Sequence, residues 1–306
     1  MPSSECPLVS VAIPLFKSRR FLDCIIGNIE AIDYPNIEVI ISDRHCADDA
    51  IELLADRFSD DLRIRCLKAT DQLNWVEHYN FLLRVASGRY FLWMPHDDSY
   101  PPDYISQLVS YLETHPDAVL AYGRLEVAHL EDERPIPWVL HPVQPLGQNE
   151  PWSLRAALRL LLFWSVCVPP FRGVFRRESV VQSGLFIRST YETVAADEYW
   201  VFGLGLKGRL GFVPSCHCTK RVSSTGTSAQ WGPRRIRHIT NGGRVLCSYI
   251  RDLVPRRREA CYGIMMVFLW TTLRMIGLFT RRRRWISESR RSSLRKFLED
   301  TLFSRG

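Results

Sequence analysis

The sequence predicts an α/β protein in which helices flank a wound, mostly parallel central sheet, with a helical extension at the C-terminal end. Three observations lead to this prediction. Short apolar runs rich in β-branched residues alternate with stretches of helical periodicity between residues 8 and 122. Several of these runs end on proline or on acidic residues. Residues 232–306 carry 18 Lys and Arg against 5 Asp and Glu, whereas the residues before them are acidic overall.

The length and the amino-acid composition limit the class of protein. With 306 residues, of which 46% are hydrophobic, the chain can bury a sizeable core. We expect one large domain over residues 1–231 and a basic helical extension over 232–306. The nine cysteines are irregularly spaced, which predicts free thiols, and the first residues lack the pattern of a signal peptide. Both features predict a cytoplasmic protein.

The predicted elements follow the chain in order. A β-branched run at 8–13 is closed by Pro14, and similar runs predict strands at 37–42, 62–67 and 90–94. Apolar residues at helical spacing lie between these runs, at 21–32, 50–58 and 76–86. Further on we expect a helix at 104–112, a strand ending at 122, a loop at 124–152 and a buried helix at 154–168. A return strand, a helix that opens near Asp197, a loop at 219–228 and an apolar helix at 261–279 complete the prediction.

The stretch 88–98, GRYFLWMPHDD, has the character of a buried strand that ends on two adjacent carboxylates. Right-handed crossovers bring the carboxyl ends of parallel strands to one edge, so Pro14, Asp43 and Asp97 are expected to lie together. Carboxylate oxygens suit a hard cation such as Mg²⁺ or Mn²⁺ that carries a phosphorylated ligand. The alternative is a surface turn whose aspartates cap the next helix.

These motifs resemble those of family 2 glycosyltransferases, which have the GT-A fold. The resemblance rests on Pro14, Asp43, Asn80, Gly88 and the pair Asp97-Asp98, and it extends over residues 8–231. It implies an enzyme that binds a nucleotide-diphosphate sugar and transfers the sugar to a hydroxyl group with inversion. It also implies that Asp43 reads the nucleotide base, with a UDP-sugar favoured. Asp97 then corresponds to the last acid of the DxD motif, which holds Mg²⁺ or Mn²⁺.

Other residues match the family by position. Asp197 matches the aspartate that acts as catalytic base, and a carboxylate there would accept the proton of the attacking hydroxyl group. Its alternative role is to cap the helix that it opens. Arg221 matches an arginine directed at the diphosphate. The remaining candidate substrate-binding residues are Pro14, Phe16, Arg44, Asn74, Asn80, His96 and Asp98.

Two departures from the family pattern leave other functions open. Pro95 replaces the first DxD acid and Ala196 replaces an expected glutamate, which admits a nucleotide-sugar-binding protein without catalysis. Two carboxylate clusters also admit a glycoside hydrolase. We rank the hydrolase lower because hydrolases do not need adjacent aspartates at a strand end. His217 lies in a single Cys-x-Cys sequence, which is a weak zinc signal.

The basic extension predicts an acidic partner. Arginines at 256–258 and 281–284 flank the apolar run at 261–279, and Arg274 within the run would be costly in a bilayer. We therefore expect a helix that rests on an anionic membrane surface or packs on the catalytic domain. Nucleic acid is not expected, because no binding motif accompanies the charge. A glycan or lipid-linked acceptor, in polysaccharide or glycolipid synthesis, would suit such an extension.

Overall fold

A computed structural model describes residues 6–44, 48–69, 73–130, 133–135, 154, 158, 168–222 and 236–281. The strands are β1 (Val9–Leu15), β2 (Ile37–Asp43), β3 (Ile64–Lys68), β4 (Tyr90–Trp93), β5 (Ala118–His129), β6 (Val174–Arg176) and β7 (Arg209–Val222). The helices are α1 (Leu22–Ala31), α2 (Ala50–Arg57), α3 (Trp75–Val85), α4 (Tyr104–Thr114), α5 (Val168–Phe171), α6 (Arg177–Gln182), α7 (Ala196–Gly205), α8 (Ile236–Leu253) and α9 (Arg257–Arg281). Short 3₁₀ helices occupy Arg19–Phe21 and Tyr191–Thr193.

The strands form a seven-stranded sheet in the order β3-β2-β1-β4-β6-β5-β7. β1 pairs in parallel with β2 and β4, β2 with β3, and β5 with β7. β6 runs antiparallel to both of its neighbours. Every residue of β1 and β4 is buried, as expected for strands covered on both faces. The predicted fold, a wound and mostly parallel sheet flanked by helices, is confirmed.

The segment before β4 requires a glycine because two strands approach closely there. The Gly88 backbone N–H donates to Ser10 Oγ at 2.8 Å and to Glu38 Oε1 at 3.0 Å. A Cβ atom on residue 88 would lie 2.5 Å from Ser10 Oγ and 2.6 Å from the Ser10 nitrogen. These contacts fix the start of β4 against β1. They thereby help to position the residues that follow the end of β4.

Two strands extend into segments that were expected to be loops. β5 continues through His129 and β7 through Val222, and the two pair in register from Arg124↔His217 to His129↔Val222. The charged residues of β5 misled the prediction: Arg124 and Glu126 are exposed, while Leu125 between them is partly buried and Val127 after them is buried. Residues 154 and 158 are helical, but the rest of the predicted helix up to 167, and the loop residues 136–152 and 223–228, lie outside the described residues.

Two hydrophobic clusters fill the two faces of the sheet. One includes α1, α2 and α4. The other joins Trp93 of β4 and Trp200 of α7 to Tyr249 of α8 and Trp270 of α9. The C-terminal helices therefore share a hydrophobic core with the sheet and with α7. Over the part of the chain that the structure describes, no helix combines the length and the hydropathy that a membrane crossing requires.

Candidate active site

The carboxyl ends of β1, β2 and β4 meet at one edge of the sheet. Leu15 lies opposite Asp43 in the parallel register of β1 and β2, and Pro14 lies opposite Ser42. At the end of β4, the Met94 N–H donates to the Ala12 carbonyl of β1 at 2.8 Å. The segments that follow the three strands therefore begin side by side, with Asp43 buried at the end of β2.

Phe16 and Arg44 form one wall of this edge. The guanidinium carbon of Arg44 lies 3.6 Å from the centroid of the Phe16 ring, which is a cation–π contact. Arg44 Nη1 is also 3.5 Å from the Leu73 carbonyl oxygen, a long hydrogen bond. Phe16 is 38% exposed. Lys17 Nζ lies 5.5 Å from the same centroid, so two cations surround this partly exposed ring. An aromatic ring beside cations suits a planar, phosphorylated ligand such as a nucleotide.

His96 connects the segment after β4 to the segment after β1. Its Nδ1 lies 2.7 Å from Ser18 Oγ, and its ring stacks on Phe21 with 4.6 Å between centroids. Ser18 Oγ also accepts the Phe16 N–H at 2.8 Å. Burial lowers the pKa of His96 to about 4, so the imidazole is neutral near pH 7. These contacts give His96 a role in holding the two segments together.

Asp98 is engaged in a buried ion pair. Its Oδ2 accepts from Arg172 Nε at 2.6 Å, and the two side chains are only 1% and 7% exposed. The Asp98 carbonyl accepts from Asn28 Nδ2 of α1 at 2.9 Å, while Asn28 Oδ1 accepts the Tyr100 N–H at 3.2 Å. Asp98 therefore anchors the segment after β4 to its surroundings, and its charge is balanced within the protein.

Asp97 differs from its neighbour because it remains partly exposed and makes no ion pair in the described part of the chain. Burial raises the pKa of Asp97, and Arg172 opposes that shift. The described residues contain no group of three metal-ligating side chains. One free carboxylate still fits Mg²⁺ or Mn²⁺, because such ions are held by one or two carboxylates together with substrate phosphates. The donor set thus suits a metal that arrives with a diphosphate.

Asp197 lies in the first turn of α7, directly after a strained segment. Glu192, Thr193 and Ala195 have φ values of 53°, 54° and 59°, in the left-handed region that L-residues avoid. The segment is fixed from outside, since Asn241 Oδ1 of α8 accepts the Tyr191 N–H at 2.7 Å. Asp197 is partly exposed, and no ion pair engages it among the described residues. Strain of this kind concentrates at functional sites.

The structure brings the carboxylates after β4 and at α7 to one place. Two side chains, Tyr79 of α3 and Lys220 of β7, each lie within electrostatic range of Asp97, Asp98 and Asp197. Beneath them is an aromatic floor. The Trp93 ring, just before the β4 carboxylates, lies 4.8 Å from Trp200 of α7 and 5.2 Å from Phe171 by centroid distance. This floor joins the two segments that carry the acids.

The two predicted asparagines make contacts that account for them without a ligand. Asn74 caps α3: its side-chain oxygen accepts the N–H groups of Val76 and Glu77 at 2.9 and 3.1 Å, and Glu77 accepts the Asn74 N–H in return. Asn80 is buried, donates to the Ile187 carbonyl at 2.8 Å and accepts the Ile187 N–H at 2.9 Å. Both side chains therefore support the fold near the site.

Arg221 of β7 is a predicted site residue, and Lys220 beside it is not among the predicted residues. Arg221 Nη1 lies 3.2 Å from Cys24 Sγ of α1, and its Nη2 is 2.9 Å from Glu133 Oε1. Burial and the nearby Arg172 lower the pKa of Lys220, and the carboxylates of Asp98, Asp197 and Asp97 oppose that shift. The signal that would have found Lys220 is strand alternation, which was not applied because residues 219–228 were expected to be a loop.

Comparisons with known proteins show the family and the fold of the chain. The family described as glycosyl transferase family 2 matches residues 10–181. A Haemophilus influenzae protein named as an uncharacterized glycosyltransferase is 31% identical over 119 residues, which are 39% of this chain and 36% of that protein. An Escherichia coli protein, the UDP-Glc:alpha-D-GlcNAc-diphosphoundecaprenol beta-1,3-glucosyltransferase WfaP, is 28% identical over 107 residues, 35% of this chain and 42% of that enzyme. The matched segments thus span less than half of either relative.

Solved structures show the same fold. The chain superimposes on Staphylococcus aureus TarS 1–349 in complex with UDP-GlcNAc with a TM-score of 0.63 and 13% identity, covering 84% of this chain and 70% of that one. It superimposes on the Pyrobaculum calidifontis mannosyltransferase PcManGT in complex with GDP-Man and Mn²⁺ with a TM-score of 0.57 and 17% identity, covering 99% and 89%. At these identities the likeness establishes the fold.

Proposed function

Because the chain belongs to glycosyl transferase family 2, we propose that it transfers a sugar from a nucleotide-diphosphate sugar to a hydroxyl acceptor with inversion. A UDP-sugar is the first donor to test, since similar proteins are named for, or solved with, UDP-sugars. The observation that carries the proposal is the 4.8 Å centroid contact between Trp93 of β4 and Trp200 of α7, which joins the strand that precedes Asp97 to the helix that carries Asp197. These two carboxylates, one after a sheet strand and one on a helix, form no ion pair with the residues that the structure describes, and they supply the groups that such a reaction needs.

Asp197 is the proposed base. As the acceptor oxygen forms its bond to the anomeric carbon, Asp197 accepts the hydroxyl proton, and the bond from that carbon to the diphosphate oxygen breaks. Attack opposite to the leaving group inverts the configuration. Asp97 would hold Mg²⁺ or Mn²⁺, which when bound supplies positive charge to the departing diphosphate. Phe16 and Arg44 form the wall that faces the nucleotide base, with Asp43 at the end of β2 beside them.

The test is a turnover assay with a panel of UDP- and GDP-sugars, run with Mn²⁺, with Mg²⁺ and with a chelator. Asp197→Asn should lower turnover by at least about 10²-fold, because it removes the proton acceptor while nucleotide binding persists. Asp23→Asn is the matched control, since Asp23 is an exposed aspartate in the first turn of α1. Unchanged turnover in Asp197→Asn would contradict the assignment. Nucleotide-sugar binding without turnover in the parent protein would instead favour a binding protein, as Pro95 and Ala196 suggest.

We further propose that the acceptor is a glycan or a lipid-linked glycan and that the protein works at an anionic membrane surface. Met265 and Phe268 of α9 are 59% and 72% exposed, and three arginines, 256–258, lie at the start of that helix. Apolar side chains beside arginines suit the interface of an anionic bilayer. Flotation with phosphatidylglycerol vesicles at low and high salt tests this. Absence of binding at low salt would contradict it, and Phe268→Asp should weaken it.

A further inference from the structure

The end of β7 is attached to the segment that carries Asp97 and Asp98. Thr219 and Ser99 exchange two backbone hydrogen bonds, each 2.9 Å long. On the other side of Lys220, the Arg221 N–H donates to Asp98 Oδ1 at 3.3 Å. The backbone is therefore fixed on both sides of Lys220, and the position of this residue relative to the carboxylates is set by the fold.

The two cations at this end of β7 have different surroundings. The guanidinium of Arg221 is engaged by Cys24 and by Glu133, and the Arg221 side chain is only 19% exposed. Lys220 interacts electrostatically with Arg172 and with the carboxylates of Asp98, Asp197 and Asp97, and its side chain makes no hydrogen bond or ion pair with the described residues. Its ammonium group thus keeps three donors for a ligand.

A diphosphate bound at this site would need a positively charged hydrogen-bond donor from the protein. Arg172 already balances Asp98 through a 2.6 Å contact, so it is committed within the protein. A nucleoside diphosphate adds negative charge beside Asp97 and Asp197, and the DxD motif offers one free acid here instead of two. We propose that Lys220, and not Arg221, is the β7 cation that contacts the diphosphate of the donor. This inference rests on the proposed function.

The experiment is calorimetric titration of the full-length protein with UDP and, in parallel, with uridine, each with and without Mn²⁺. Lys220→Met should weaken UDP binding by about tenfold or more, because a charge-assisted contact to phosphate is lost. Uridine binding should change by less than about twofold, because uridine has no phosphate group for the lysine to contact. Lys220→Arg should retain most of the affinity for UDP. Arg221→Met is the competing variant, and Lys207→Met, at an exposed lysine after α7, is the matched control.

Each outcome has a definite meaning. Loss of UDP affinity in Arg221→Met with unchanged affinity in Lys220→Met would overturn the inference. Equal weakening of UDP and uridine in Lys220→Met would also overturn it, because that pattern indicates a structural role. Lys220→Gln, which preserves length and polarity, decides the question if Lys220→Met does not fold. A parent protein that binds neither UDP nor GDP would refute the proposed function itself. If the parent binds UDP and Lys220→Met binds it equally tightly, only this inference is refuted.

Discussion

Replacing Arg172 by methionine should destabilise the protein strongly. Arg172 and Asp98 are almost completely buried and are joined by a 2.6 Å contact, so the substitution leaves a buried carboxylate without its counter-charge. Breaking a buried pair in this way costs about 3–5 kcal/mol in the free energy of unfolding. For a chain somewhat larger than 150–250 residues, at about 2–4 °C per kcal/mol, the Tm should fall by roughly 10 °C.

The pH dependence of this effect has a definite sign. Without Arg172, the pKa of Asp98 rises further above its ordinary value, because burial and the neighbouring Asp97 raise it and the largest opposing charge is gone. A carboxyl group whose pKa is raised in the folded state destabilises the fold most above that pKa, and less as it is protonated. The difference in unfolding free energy between the parent and Arg172→Met should therefore be larger at pH 8 than at pH 5.

Urea unfolding followed by circular dichroism measures both quantities. The double variant Asp98→Asn, Arg172→Met should recover much of the lost stability, because neither buried charge then remains. Arg172→Met with an unfolding midpoint equal to that of the parent would refute the reasoning. A double variant no more stable than Arg172→Met would also refute it, since the unpaired carboxylate would not be the cause.

Three further predictions concern the surroundings of the site. Gly88→Ala should lower the unfolding free energy by at least about 2 kcal/mol, because its Cβ would lie 2.5 Å from Ser10 Oγ. Gly27→Ala, whose Cβ would have no atom within 4 Å, should raise the unfolding free energy by up to about 1 kcal/mol. Urea unfolding measures both variants, and equal changes in the two would contradict this reasoning. Burial lowers the pKa of His78 to about 4, so the folded state excludes a proton that the unfolded chain binds below pH 6.5. Between pH 6.5 and pH 4 the unfolding free energy should therefore fall by about 3 kcal/mol more in the parent than in His78→Gln. His129→Gln, at an exposed histidine, is the control. Asn241→Ala should lower kcat several-fold with an unchanged Kd for UDP, because it releases the segment before Asp197; a lower affinity with normal kcat would argue against that role.

The sequence was most informative where burial alone determines structure. The β-branched run of β1 and the apolar run of β4 have side chains buried on both faces, so composition and length identified them. The ends of β5 and β7 were missed because charged residues there resemble a loop. Their pairing depends on contacts between segments about 90 residues apart, and no local pattern records such contacts.

The same contrast applies to the site. Asp97 and Asp197 were selected because they match the family pattern, one after a strand and one at a helix start, and the contact between Trp93 and Trp200 joins the two segments that carry them. Asn80 was also selected from the family resemblance, yet its two hydrogen bonds to Ile187 become visible only when a residue 107 positions away is in place. The proposed role of Lys220 in place of Arg221 depends on one residue of strand register, because a shift by one residue reverses the direction of every side chain.

The hydrophobic core that α7, α8 and α9 share limits which positions of the C-terminal extension can diverge in sequence. Tyr249 donates its hydroxyl to the Phe186 carbonyl at 2.8 Å and packs in the same cluster as Trp200, three residues after Asp197. Substitutions in the basic extension must therefore preserve the inward side of α8. The outward side can change without disturbing the packing around Trp200.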